Sequence, residues 1–204
     1  MEKISTSKCV IGIDEVGRGP LAGPVAVGMV CIFPEHVKAV KKIFPLIKDS
    51  KKLSPNARAE WRERIRCAEK SGLLISRVAF VSSSVIDKKG IVFSIHVAIS
   101  STLNSFEHDP SASRILLDGG LRAPFYYANQ KTIIKGDEKE LSIALASIVA
   151  KVARDARMAS LARKFPNHGF ENHKGYGTPA HYRAIKKHGI TPHHRKSYLG
   201  KLHT

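Results

Sequence analysis

Aromatic residues make up only 7% of this 204-residue chain, with a single tryptophan, and acids are half as numerous as bases, 17 Asp and Glu against 34 Lys and Arg. With few rings available, a core must be filled by aliphatic side chains, and the 43% apolar content is enough for that in one unit. Cysteine is scarce too. Cys9, Cys31 and Cys67 are odd in number and far apart, which suggests neither a disulfide framework nor a zinc cluster; they read as reduced core residues. No run approaches the ~20 apolar residues of a membrane span, and the opening MEKISTSK lacks the apolar stretch of a signal peptide. No HExxH or comparable histidine spacing appears, and no repeat, low-complexity linker or composition shift divides the chain. The expectation is a single cytoplasmic domain over residues 1–204 with no membrane association.

What the chain has in excess is positive charge. A net charge of +17 attracts polyanions before any specific contact forms, so nucleic acid is the default partner. A membrane-surface reading would need a basic amphipathic helix with a broad apolar face, and none stands out. Residues 161–204 hold nine of the bases, one acid (Glu171) and seven of the ten histidines, which read as solvated or phosphate-facing.

Along the chain, the apolar Cys9, Val10, Ile11 and Ile13 run into adjacent carboxylates, Asp14 and Glu15, and then into Gly17-Arg18-Gly19-Pro20, as a buried strand reaching an open edge does. Residues 24–33 predict a second strand antiparallel to the first. A short helix over 36–44 and a basic loop around Lys51 follow, before Ser54-Pro55 opens a helix over 56–70. A strand over 73–81 and a helix over 91–106 come next. Two short apolar runs, 114–117 and 132–134, each end just before an acid, Asp118 and Asp137. Leu141, Leu145, Ile148 and Val152 form one stripe of a long helix over about 138–164, which Pro166 stops.

Four acids at predicted strand ends can be gathered by side-by-side strands into one cluster, and such a cluster needs cations. Oxygen-only ligands suit Mg²⁺ or Mn²⁺, and two such ions form the clamp used in phosphodiester hydrolysis. Adjacent strand residues point to opposite faces, so Asp14 and Glu15 can share a site only where the strand twists or ends. The competing reading pairs these acids with Arg18 or leaves them in water. Asp155 lies about 18 residues past Asp137, ~27 Å along a helix, too far for one metal pair, and is better read as a partner of Lys151. Tyr176, between Gly175 and Gly177 in a basic loop, can stack on a sugar or base. Lys51 reads equally as a phosphate contact or a charged loop residue.

The segments IDEVGRGPLAGPV, DSKKLS, LLDG, KGD, ASIVAKVARD, HKGYGT and HRKSY, taken together from about Cys9 to Tyr198, resemble the type 2 ribonuclease H family and within it ribonuclease HII. Few residues precede Asp14, where the sibling ribonuclease HIII carries an added N-terminal domain, and this favours the HII branch. The resemblance implies an α/β, ribonuclease H-like fold: a mixed β-sheet flanked by helices, with a C-terminal helical extension. About 1–165 would form the catalytic core and about 166–204 a basic substrate-binding part. It implies cleavage of the RNA strand of RNA/DNA hybrids and incision 5′ of single ribonucleotides in duplex DNA, leaving 3′-hydroxyl and 5′-phosphate ends. Asp14, Glu15, Asp118 and Asp137 carry over as catalytic, metal-binding acids for two Mg²⁺ or Mn²⁺ ions. Gly17, Arg18, Gly19 and Tyr176 carry over as sensors of the 2′-hydroxyl, with Lys51 on the DNA strand's phosphates, in a monomer. Residues 120–131 match no known signature. Two rivals stay open, another metal-dependent DNA nuclease of the same fold and a non-catalytic nucleic-acid binder.

Overall fold

The computed structural model describes residues 9–45 and 53–200. The basic loop around Lys51 lies outside the described residues. Five strands form one mixed sheet in the order β3-β2-β1-β4-β5. Strands β1 (Val10–Val16), β2 (Val25–Ile32) and β3 (Leu74–Val81) are antiparallel neighbours, whereas β4 (Arg114–Asp118) lies parallel to β1 and β5 (Gln130–Ile133) parallel to β4. β1 runs on through both carboxylates, longer than its apolar residues alone predict. The helices are α1 (Val37–Ile43), α2 (Pro55–Lys70), α3 (Ser83–Lys89), α4 (Ile91–Leu103), α5 (Leu141–Lys164), α6 (Phe170–His173), α7 (Pro179–His188) and α8 (Lys196–Leu199). The sequence reading lacks α3, which Ser82 caps by accepting from the Val85 amide.

Strand alternation sorts the two faces. Ile11, Ile13, Val27, Met29, Ile115 and Leu117 pack with Ile95, Ala98 and Ile99 of α4. Val30, Ile32 and Leu74 face the other way, towards Leu141, Leu145, Ile148 and Val149 of α5 and Ile65 and Ala68 of α2. The helix α5 sits directly on the strands because two positions lack a side chain. A Cβ on Gly12 would fall 2.1 Å from the Ser142 carbonyl carbon, and one on Gly28 would fall 2.3 Å from the Ala146 oxygen. The expected stripe of α5 is the docking face, and each of its buried aliphatic side chains contributes about 1.5–3 kcal/mol. Among the cysteines, Cys9 and Cys31 are buried, whereas Cys67 is exposed on α2, against the expectation that all three belong to the core. No helix among the described residues is long and apolar enough to cross a membrane.

Candidate active site

β1 and β4 run parallel with Ile13 beside Leu117, so the next residues along the pair are Asp14 and Asp118. Both continue the alternation that faces α5. Asp118 ends its strand, and its Oδ1 accepts a hydrogen bond from the Gly136 amide at 2.7 Å. That bond draws in the single 3₁₀ turn Gly136–Glu138, in which Asp137 is fully buried. The turn is tight; a Cβ on Gly136 would meet the Ile143 Cδ1 at 2.6 Å.

Alternation puts Glu15 on the opposite face from Asp14, yet both line one cleft of about 140 Å³ with Val16, Arg58, Ser147, Ile148 and Lys151. Gly17, at φ +93, turns the chain immediately beyond the strand. Asp14 is 4% exposed and accepts from the Glu15 amide at 2.8 Å, while Glu15 takes the Arg18 guanidinium at 3.0 Å. Burial pushes the Glu15 carboxyl above its usual range; Arg18 pulls it back, and the negative charge of Asp118 adds to the rise. Arg18 thus makes the contact of the structural reading while leaving Glu15 in the cleft. Among the described residues no three His, Cys, Asp or Glu side chains already stand around a common point at metal-ligand spacing. Asp14, Glu15 and Asp118 each accept instead from a protein N–H. The donor set itself suits hard divalent cations, being carboxylate oxygen alone at mostly buried strand ends. Asp155 is bound by Lys151 at 2.9 Å, as the helix spacing predicts.

The loop after β1 is shaped by two arginines that the sequence reading did not single out. Arg195 is fully buried, and its guanidinium donates to the carbonyls of Gly17 (2.6 Å), Arg18 (2.7 Å) and Gly23 (3.0 and 3.1 Å). Arg154, equally buried, donates to the carbonyls of Pro24 (2.9 Å), Lys174 (3.1 Å) and Ala22 (3.3 Å). Both donate only to neutral carbonyls in these bonds, and burial lowers both pKa values, that of Arg195 to about 10. Their signal in the sequence was position inside ASIVAKVARD and HRKSY, with nothing to mark them as buried. Gly17 must lack a side chain, since a Cβ there would fall 2.3 Å from the Arg154 Nε. Gly19 instead faces open space.

The Tyr176 loop joins the same assembly. The Gly175 carbonyl accepts from the amides of Leu21 (2.8 Å) and Ala22 (3.3 Å), and a Cβ on Gly175 would fall 2.3 Å from the Ala22 oxygen. Tyr176 is 43% exposed, with the Arg154 guanidinium carbon 5.9 Å from its ring centre. The loops Gly17-Arg18-Gly19 and Gly175-Tyr176-Gly177 are therefore one surface beside the carboxylates. The histidines depart from expectation: His168, His181 and His194 are buried rather than solvated, with both ring nitrogens of His181 and His194 and the Nε2 of His168 partnered inside the C-terminal part.

A family model for ribonuclease HII matches residues 11–201. The chain belongs to the ribonuclease HII family. It is 43% identical over 189 residues to the ribonuclease HII of Halalkalibacterium halodurans, covering 93% of this chain and 66% of that protein. With the ribonuclease HII of Chlorobium chlorochromatii the identity is 42% over 189 residues, covering 93% and 88%. Among solved structures, ribonuclease H2 from Pyrococcus horikoshii superposes with a TM-score of 0.74 at 26% identity, covering 96% of this chain and 97% of that one. A ribonuclease HIII solved in complex with Mn²⁺ shares the fold at 18% identity and a TM-score of 0.64, covering 90% and 63%. The ribonuclease H fold and the metal-dependent ribonuclease H endonuclease chemistry of the ribonuclease HII family are thereby assigned to this chain.

Proposed function

We propose that the site formed where Asp14 and Glu15 of β1 meet Asp118 of β4 hydrolyses the RNA strand of RNA/DNA hybrids and incises duplex DNA on the 5′ side of single ribonucleotides, leaving 3′-hydroxyl and 5′-phosphate ends. The observation that carries this reading is the parallel register that makes Asp14 and Asp118 neighbours, with Gly136 tying Asp137 to the same point. Asp14, Glu15, Asp118 and Asp137 hold two Mg²⁺ or Mn²⁺ ions. When bound, such ions supply activation of the attacking water and stabilisation of the leaving 3′-oxygen. The chain's own residues do the rest. Asp14 and Glu15 in β1, Asp118 at the end of β4 and Asp137 in the 3₁₀ turn would set where the scissile phosphate meets its cations, and Arg58 and Lys151 line the cleft with positive charge. Gly19, open to solvent, lets the backbone approach the substrate, and with Gly17, Arg18 and the exposed Tyr176 it reads the 2′-hydroxyl that separates RNA from DNA. Lys51 and the basic segment from about residue 166 hold the phosphates of the DNA strand, and the enzyme acts as a monomer in the cytoplasm.

The test is cleavage of a DNA duplex containing one ribonucleotide, beside all-DNA and hybrid controls, with Mg²⁺, Mn²⁺ or EDTA and with Asp14→Asn. Metal-dependent incision 5′ of the ribonucleotide, absent from all-DNA and from the variant, is expected. Cleavage of all-DNA would replace the reading with a DNA nuclease, and binding without cleavage would replace it with a binding protein.

A further inference from the structure

Beneath Tyr176 lies an imidazole cluster that the hydrolytic reaction leaves unused. His181 and His194 are 0% and 2% exposed, and their Nε2 atoms are 3.0 Å apart. Two imidazoles can meet in this way only if one nitrogen carries a proton and the other does not. The neighbours decide which. The Thr191 amide points at the His194 Nδ1 at 2.8 Å, and because an amide can only donate, that nitrogen accepts. The His194 proton therefore sits on Nε2 and is donated to the His181 Nε2. His181 must then carry its own proton on Nδ1, which lies 2.9 Å from the Tyr176 carbonyl oxygen. The result is a directed chain, from the Thr191 amide through His194 and His181 to the backbone of Tyr176.

A third histidine is fixed by the same logic. The Gly175 amide donates to the His173 Nδ1 at 3.1 Å, so the Nε2 of that ring carries the proton and donates to the His168 carbonyl at 2.7 Å. The His173 ring stacks on His181 with centroids 4.1 Å apart. The loop needs such support, because Lys174 (φ 51) and Gly175 (φ 86) are consecutive left-handed residues, and for a residue with a side chain that conformation costs about 1–3 kcal/mol. Each carbonyl from Lys174 to Tyr176 is accounted for: Arg154 takes the first, the Leu21 and Ala22 amides the second, and the third is shared by His181 and the Thr178 amide at 2.8 Å. A histidine that merely filled space would be replaceable by an aliphatic residue without the cost of burying polar atoms. Here both ring nitrogens of His173, His181 and His194 are engaged, and the bonds end on backbone at the loop.

We propose that His194 and His181 are positioning residues for substrate selection: their one-way hydrogen-bond chain fixes the Tyr176 peptide, and so the presentation of its ring to the ribose. The inference rests on the role of Tyr176 proposed above. It makes two demands. In the folded enzyme at neutral pH, nitrogen-15 NMR should find His194 as the Nε2–H tautomer and His181 as the Nδ1–H tautomer; the opposite assignment for either ring overturns the chain. The second demand concerns the ratio of kcat/KM on a single-ribonucleotide duplex to that on a long hybrid. In His181→Leu, which cannot donate to Tyr176, the ratio should fall about tenfold or more. In His181→Asn, whose amide can reach the same carbonyl, most of it should return, within about threefold of wild type, a tenfold change being about 1.4 kcal/mol of transition-state binding. A purely structural role would lower both activities in step with the folded fraction and leave the ratio unchanged, which would refute the proposal. Tyr176→Ala separates the failures. If it too leaves the ratio unchanged, the role of Tyr176 is wrong and the inference falls with it; if it lowers the ratio while His181→Leu does not, the histidine chain alone is wrong. Should His181→Leu not fold, the tautomers of the wild-type rings decide.

Discussion

The carboxylate of Asp118 and the amide of Gly136 are 2.7 Å apart, joining the end of one strand to the turn that carries Asp137. An asparagine at 118 retains an oxygen for that bond but loses the charge. Asp118→Asn should therefore fold, bind hybrid within about threefold of wild type, and lose more than about a hundredfold in cleavage, as the metal-holding role proposed for this carboxylate requires. A filter-binding titration beside a cleavage time course checks it, and near-wild-type cleavage would remove Asp118 from the site.

How much of this was legible beforehand differs from one residue to the next. Apolar runs that each lead into an acid placed Asp14 and Asp118 on predicted strands, whereas the parallel register that makes them neighbours is seen only in the folded sheet. The pairing of Asp155 with Lys151 followed from helix spacing. Arg154, Arg195 and the buried histidines could not be read this way. A basic residue far along the chain is ordinarily solvated, and burial of these side chains depends on carbonyls brought close only by the folded loops. Their types carried no periodicity and no ligand spacing, while the +17 charge favoured reading every one of them as surface.

Arg195→Lys should show what the guanidinium does that charge alone does not. One ammonium cannot reproduce the fork that reaches three carbonyls, and stranding buried acceptors costs about 2–4 kcal/mol in total. For a domain of this size the melting temperature should drop by about 5–15 °C. A change under about 2 °C in a thermal melt would mean that these bonds contribute little.

Two glycines should separate fold from site. Gly12→Ala forces a methyl into the α5 backbone and should destabilise by about 3 kcal/mol or more. Gly19→Ala meets nothing within 4 Å and should leave the melting temperature within about 1 °C, yet weaken incision at a single ribonucleotide by obstructing the substrate's approach. Equal melting temperatures for the two variants would contradict the contact between α5 and β1.

The histidine cluster sets an acid limit. Burial, chiefly, lowers His181 and His194 from their ordinary 6.5 to about 4; the neighbouring His168 and His173 add to the drop, while the carbonyl of Tyr176 opposes it for His181. Because the unfolded chain takes up these protons first, their contribution to stability is fully present above pH 6.5, declines as pH falls towards 4, and is lost below that. Denaturant midpoints measured from pH 7.5 to 4.5 should fall, and His194→Gln should flatten the decline. An identical pH slope in that variant would exclude the histidine as its source.

Hybrid affinity should fall more than tenfold between about 50 and 200 mM salt, since phosphate contacts release counterions. Replacing Lys186 and Lys187 by Gln should reduce the slope of log affinity against log salt by about 1–2, if these residues of the basic C-terminal part contact phosphates. An unchanged slope would place the contacts elsewhere.

Arg195 is separated by 178 positions from the Gly17 carbonyl it holds. The loop beside Asp14 and Glu15 is synthesised 178 positions ahead of the side chain that braces it. A nascent chain can pair β1 with β2 early, but the loop after β1 stays unbraced until the region around residue 195 has been made and has docked. The proposed activity is thus timed by the order of synthesis, since a chain not yet made as far as residue 195 lacks the brace for the loop proposed to choose the substrate.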